Sequence, residues 1–218
     1  MVLSGAFSIG TTIRSKKTAH ASEQSRVDVK ARRESWFEVQ LDLEPSRLVF
    51  LDACGTNTKM ARLYGRSRRG ERCRAAVPHG HWKTTTLVAA LTFDGITAPM
   101  VIDGAMNGER FKAYVEQALA PVLKAGDTII WDNLPAHRIS GIAEIVERTG
   151  ASLRRLPPYS PDFNPIEKAF AQIKSHLKKV AARTKDTLDQ AIATAIDLVK
   201  PHHARNYFRS CGYKDDTV

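Results

Sequence analysis

The sequence predicts an α/β fold, a mixed five-stranded sheet with helices on both faces, and three observations carry that prediction. The apolar segment LVFLD (48–52) is followed by TTTLVAALTFDG and TAPMVIDG, rich in β-branched residues and joined by tight turns, which implies an antiparallel meander. Two further apolar segments, TIIWD (128–132) and ASLRRL (151–156), are each reached through a helix, and such crossovers are parallel and right-handed. From Pro165 onward the pattern is helical. A chain of 218 residues with 43% apolar content is long enough to bury one core of ordinary size.

Taken in order, residues 1–46 form an N-terminal linker or extension: KKTAHASEQSR has no periodicity, and VKARRESWFEVQ supports a short helix at most. The folded domain is expected over 47–213, with 214–218 as a tail. LVFLD ends in an acid, and the turn-prone GTNT after it marks the close of a buried central strand. CRAAVP and the two meander segments follow, separated by the breakers Pro78, Gly80 and the hairpin signal Asp94-Gly95. Asn107 caps a helix running to about Leu123, with Phe111, Val115, Leu119 and Val122 on one face. After TIIWD, a helix from about Ile139 to Arg148 leads through Gly150 into ASLRRL. The breaker-rich PPYSPDFNP then precedes helices with boundaries near Arg183 and Pro201. This order is that of the ribonuclease H arrangement. There is no internal repeat and no low-complexity tract.

The charge balance narrows the partners. Lys and Arg outnumber Asp and Glu by 33 to 23, a formal charge of +10 that favours a polyanion such as nucleic acid. Three scattered cysteines fit neither a disulfide framework nor a paired-cysteine zinc site, and point to a reducing cytoplasm. No apolar run approaches the roughly 20 residues that span a bilayer, so no membrane association is expected. The absence of a Ser-His-Asp pattern and of a Gly-rich phosphate loop argues against acyl transfer and nucleotide hydrolysis.

Two strands that both end in an acid and lie parallel in mid-sheet would bring Asp52 and Asp132 together on one edge. Like charges that close repel unless a divalent cation neutralises them. Oxygen-only ligation favours Mg²⁺ or Mn²⁺ over zinc. Glu167 lies in Asn164-Pro165-Ile166-Glu167, where Asn at the cap, Pro at the first helical position and Glu at the third make a capping box. Singly, each Asp reads equally well as a turn former, and for Glu167 alone the cap is the favoured reading. Together, three carboxylates on one edge of a basic protein suit two-metal displacement at phosphorus.

The stretches LDACGTNT, VPHGHWKTTTLVAAL, IIWDNLPAHR and LPPYSPDFNPIEKAFAQIK together resemble the DDE transposases of bacterial insertion sequences, in the branch related to mariner elements. Thirty-four residues lie between Asp132 and Glu167, the spacing of that branch, and the resemblance extends from about Lys16 to Tyr213. It implies a ribonuclease H-like fold with Asp52, Asp132 and Glu167 as catalytic ligands of two Mg²⁺ ions, Mn²⁺ serving as substitute. In such enzymes a metal-activated water hydrolyses the transposon end, and the freed 3′-hydroxyl attacks target DNA, commonly at TA. Asn133 and His137 match positions that accompany the second Asp, in a supporting role, although His137 reads equally as a hydrogen-bonded surface histidine. The implied partners are DNA, both transposon ends and target, and further copies of the chain in a homo-oligomer on that DNA. The implied location is the cytoplasm, at the nucleoid.

Two departures stand out. Ala53 occupies the position after the first Asp where relatives carry an acid. Nothing in the sequence reads as the pair of helix-turn-helix modules that recognise inverted repeats, which suggests a separately encoded helix-turn-helix portion or a truncated copy. A catalytically silent remnant that only binds DNA is therefore the alternative function.

Arg62, Arg66, Arg68, Arg69, Arg72 and Arg74 lie between the first two strands, where a basic hairpin would neutralise phosphates; the alternative is a solvated loop. Lys168, Lys174, Lys178 and Lys179 either track a DNA backbone or keep the helix soluble. Tyr159 and Trp82 have the chemistry to stack on bases, with core packing the competing role for Trp82. His79, His81 and Cys73 lack a suitably spaced fourth ligand for zinc.

Overall fold

The computed structural model describes residues 21–77, 82–132 and 141–214. Helix α1 (Val27–Val39) leads into strand β1 (Leu48–Asn57), followed by β2 (Thr84–Thr92) and β3 (Gly95–Asp103). Helix α2 (Gly108–Tyr114) is followed by β4 (Thr128–Trp131), α3 (Ile142–Glu147) and β5 (Ser152–Arg155). Helices α4 (Pro165–Val180), α5 (Lys185–Asp197) and α6 (Pro201–Ser210) complete the order.

One sheet runs in the order β3-β2-β1-β4-β5. The β1–β2 and β2–β3 pairs are antiparallel, and the β1–β4 and β4–β5 pairs are parallel. This is the expected meander followed by two crossovers. The turn of the second hairpin sits one residue earlier than Asp94-Gly95: Thr92 pairs with Gly95, leaving Phe93 and Asp94 at the tip. Phe93 is there because its ring packs edge-on against Phe208, 5.0 Å between centroids. Gly95 then takes φ +124°, and a side chain at that position would meet the Val199 carbonyl.

Alternation along the strands divides the core in two. Phe50, Leu87, Ala89, Leu91 and Ile130 face α4, α5 and α6, and Val49, Leu51, Val88, Ala90, Ile129 and Trp131 face α2 and α3. On the first face Ile166, Phe170, Ile173 and Leu177 of α4 recur at four- and three-residue spacing and are all buried. Trp36 of α1 joins the same cluster, and its indole N–H donates to Tyr213 Oη at 3.3 Å. On the second face the Asn107 side chain caps α2 by accepting from the Arg110 N–H, as its sequence implies. That helix reaches Val122 only by changing pitch, through a π turn at Val115–Leu119 and a 3-10 turn at Ala120–Val122 that contains Pro121.

Two local expectations are corrected. β1 does not stop at Asp52: GTN continues the strand because β2 pairs with it as far as Asn57↔Thr84. CRAAVP is irregular and exposed over its described residues. The arginine-rich stretch between β1 and β2 is irregular and exposed rather than a paired hairpin, turning at Arg69-Gly70 with Glu71 N–H bonded to the Arg68 carbonyl.

Candidate functional site

Parallel pairing between β1 and β4 ends at Leu51↔Trp131, so the next residues, Asp52 and Asp132, stand side by side where the two strands part. Neighbouring parallel strands are about 4.8 Å apart. By alternation both acids share the face of Phe50 and Ile130, the face covered by α4. The extension of β1 therefore leaves the edge open: it is β4 that stops. Asp52 is 6% exposed, with Oδ1 accepting from the Ala53 N–H at 2.7 Å and Oδ2 from the Asn164 amide at 3.2 Å. Asp132 is half-buried.

The third acid is supplied by the start of α4. Pro165 fills the first helical position, where its missing N–H costs nothing, and Glu167 falls in the first turn with its side chain exposed. The expected capping box is absent: Asn164 makes no side-chain bond to its own helix. Its amide is drawn instead to the Asp52 carboxylate, a charge-assisted bond that outcompetes a neutral cap. The opposite amide orientation would set two oxygens against each other. The Asn164 side-chain oxygen, Oδ1, is consequently buried with no hydrogen-bond partner among the described residues. The backbone still starts the helix, Glu167 N–H donating to the Asn164 carbonyl at 3.3 Å.

Asp52, Asp132, Glu167 and Asn164 line one cavity of about 540 Å³, together with Arg32, Tyr159 and Ser160. The three carboxylates offer oxygen, a donor set that suits a hard divalent cation. Among the described residues no three Asp, Glu, His or Cys side chains are gathered closely enough to enclose an ion as they stand.

The loop carrying Tyr159 and Ser160 is held from outside by α1. Arg33 makes a bidentate pair with Asp162 at 2.9 and 2.7 Å, and also donates to Ser160 Oγ at 2.8 Å and to the Tyr159 carbonyl at 3.3 Å. Its guanidinium lies 4.8 Å from the Phe163 ring centroid. Gln24 donates to the same Tyr159 carbonyl at 2.6 Å. Tyr159 itself has φ +56°, a left-handed conformation that a bulky residue adopts only under such constraint. The sequence singled out neither Arg33 nor Asn164; the N-cap pattern was the only local signal at Asn164, and it pointed to another partner.

Of the other residues singled out, Tyr159 lines the cavity and is 46% exposed. Arg66, Arg68, Arg69 and Arg72 are exposed and lie outside its lining. Lys168 is tied to α6, donating to Ser210 Oγ at 2.6 Å and to the Ser210 carbonyl at 3.3 Å. Trp82 is 52% exposed, with Lys59 Nζ 4.5 Å over its ring. Asn133, His137, His79 and His81 lie outside the described residues.

Cys54, two residues beyond Asp52, is buried, and burial pushes its thiol up to about 12, with Asp52 and Glu167 reinforcing the shift against Lys174. Burial likewise pushes the Cys211 thiol up to about 11, with Lys168 opposing. Both stay protonated near pH 8, well below those values, whereas Cys73 is exposed. Titrating the native protein with a thiol reagent at pH 8 is expected to give one fast-reacting cysteine, and three only after unfolding. Fast reaction of all three in the native state would contradict this burial.

Residues 47–189 match the family described as DDE superfamily endonuclease. No curated protein matches the chain. Among solved structures, a pre-cleavage Mos1 transpososome is similar with a TM-score of 0.73 at 15% identity, over 92% of this chain and 64% of that one. The mariner Mos1 paired end complex with Mg gives 0.66 at 16%, over 92% and 65%. The catalytic domain of Mos1 mariner transposase gives 0.63 at 14%, over 90% and 91%. The chain thus spans less than two thirds of the transposase chains in those assemblies. The likeness is one of fold: the mixed sheet flanked by helices is that of ribonuclease H-like transposase catalytic domains.

Proposed function

The chain belongs to the DDE superfamily endonuclease family, and from that premise we propose that it is the catalytic unit of a mariner-related transposase from a bacterial insertion sequence, cleaving DNA and transferring the cut strand. The observation that carries this reading is the shared cavity of Asp52, Asp132 and Glu167 at the edge where β1 and β4 part.

In this reading the three carboxylates hold divalent cations, Mg²⁺ or Mn²⁺ in its place, two to a site. Bound there, the ions supply positive charge to both the attacking and the leaving oxygen of an in-line displacement at phosphorus. The chain's own residues do the positioning. Ala53 N–H and the Asn164 amide each engage one Asp52 oxygen and hold the carboxylate in a single orientation. Arg33 fixes the loop that walls the cavity, and the exposed face of Tyr159 offers a surface for an extruded base.

Asn133 and His137 support the second Asp in this assignment, and the catalytic unit comprises 47–213. Arg66, Arg68, Arg69, Arg72 and Lys168 are the candidate phosphate contacts, consistent with an excess of ten positive charges. The partners are transposon ends and target DNA, a homo-oligomer assembled on them, and a separately encoded helix-turn-helix portion. The site of action is the nucleoid in the cytoplasm; no described helix is long and apolar enough to cross a membrane.

Incubated with Mg²⁺ or Mn²⁺, a target plasmid and pre-nicked DNA carrying the element's ends, the chain is expected to join the freed 3′-hydroxyl into the plasmid. Salt-sensitive DNA binding with neither cleavage nor joining under either ion would overturn the proposal. Cut products that are never joined would reduce it to a nuclease.

A further inference from the structure

The carboxylate cavity does not end at its own walls. A second cavity of about 680 Å³ shares Arg32, Leu156, Pro157 and Pro158 with it, so the two adjoin along those residues. The far part runs between α1 and the end of β5. Its floor is apolar, built from Trp36, Pro157 and Pro158, and its rim carries Arg32, Arg154 and Arg155.

The three rim arginines are exposed, and none enters an ion pair or side-chain hydrogen bond among the described residues. Arg33, the next residue on α1, is fully engaged with Asp162 and the loop it holds. Adjacent residues of one helix thus divide the work: Arg33 fixes the wall, and Arg32 stands unpaired at the junction of the two cavities.

We propose that this groove takes an unpaired DNA strand leading away from the phosphate at the carboxylates, with its phosphates on Arg32, Arg154 and Arg155 and its bases on the apolar floor. The inference rests on the DNA-cleaving reading above. Charge selects a polyanion, and the recessed apolar floor selects an unpaired one. A duplex keeps its bases stacked inside and presents only its backbone, leaving such a floor uncovered. An unpaired strand offers base faces and phosphates together.

The test is fluorescence anisotropy in EDTA, which keeps cleavage out of the measurement, with a duplex bearing a single-stranded tail and its blunt counterpart. The wild type is expected to prefer the tailed DNA. The triple variant Arg32→Ala/Arg154→Ala/Arg155→Ala should lose roughly tenfold or more of its affinity for the tailed DNA, and its log-log salt slope should fall by about 2, three single-strand phosphates' worth. Binding of the blunt duplex should be unchanged. The exposed-loop triple Arg66→Ala/Arg68→Ala/Arg69→Ala should keep the preference for the tail. Equal loss for tailed and blunt DNA would assign the groove to duplex, and an unchanged slope would leave it no role; either overturns the proposal. If the wild type cleaves and joins DNA while these slopes coincide, only the groove assignment falls. If tail binding depends on the three arginines but no cleavage occurs with Mg²⁺ or Mn²⁺, only the catalytic reading falls.

Discussion

Replacing Asp132 by alanine is expected to lower metal-dependent strand cleavage and joining by roughly a thousandfold or more, while the protein remains folded. The size follows from what the carboxylate is asked to do: charge stabilisation by a bound divalent ion contributes several kcal/mol, and about 4 kcal/mol corresponds to three orders of magnitude in rate. The fold should tolerate the change because Asp132 follows the last residue of β4 and is half-buried, outside both hydrophobic clusters. Without metal, the variant should keep a cooperative thermal transition, since neither hydrophobic cluster loses a side chain. Adding Mg²⁺ should raise the midpoint of the wild type, since a ligand bound only by the folded state stabilises it, and should leave that of Asp132→Ala unmoved. A variant that retains both its activity and its response to Mg²⁺ would remove Asp132 from the site.

The second large effect is expected at Asn164, a residue with no acid-base chemistry of its own. Asn164→Ala should reduce cleavage by about 10–100-fold and raise the Mg²⁺ concentration needed for half-maximal activity, the usual consequence of losing a group that orients a metal-binding carboxylate. Asn164 and Asp52 are 4% and 6% exposed, so their 3.2 Å bond is shielded from competing water. Stability should fall by about 1–3 kcal/mol, because the buried Asp52 Oδ2 loses this donor, and the circular dichroism spectrum should stay native. Asn164→Asp separates positioning from space-filling. It keeps the shape but replaces the donor with a second carboxylate against Asp52, and its loss should be at least as large. Full activity in both variants would show that the contact with Asp52 does not matter.

Much of the fold was legible in the sequence because its signals are local. Alternating apolar residues, the helical spacing of Phe111, Val115 and Leu119, and the cap at Asn107 act over one turn or a few strand residues, and all appear in the structure. The same locality explains the misses. GTN after Asp52 has turn composition, yet β2 recruits it into the sheet. The arginine-rich stretch before β2 drew attention by its density, whereas Arg32 lies far in sequence from Arg154 and Arg155 and meets them only across a groove.

The sequence by itself determined the class of fold, the pairing of parallel and antiparallel strands, and the adjacency of Asp52 and Asp132, since two apolar strands ending in acids at one edge can be read from pattern alone. Only the tertiary structure decided what those acids touch. The Asn164 side chain had a cap within three residues and a carboxylate 112 positions away, and it took the carboxylate. Arg33 found Asp162 across 129 positions, and Trp36 found Tyr213 across 177, turning α1 into a wall of the site. A side chain selects the partner that the folded chain brings within reach, with charged acceptors favoured over neutral ones. Neither proximity nor that competition is written in the neighbouring residues.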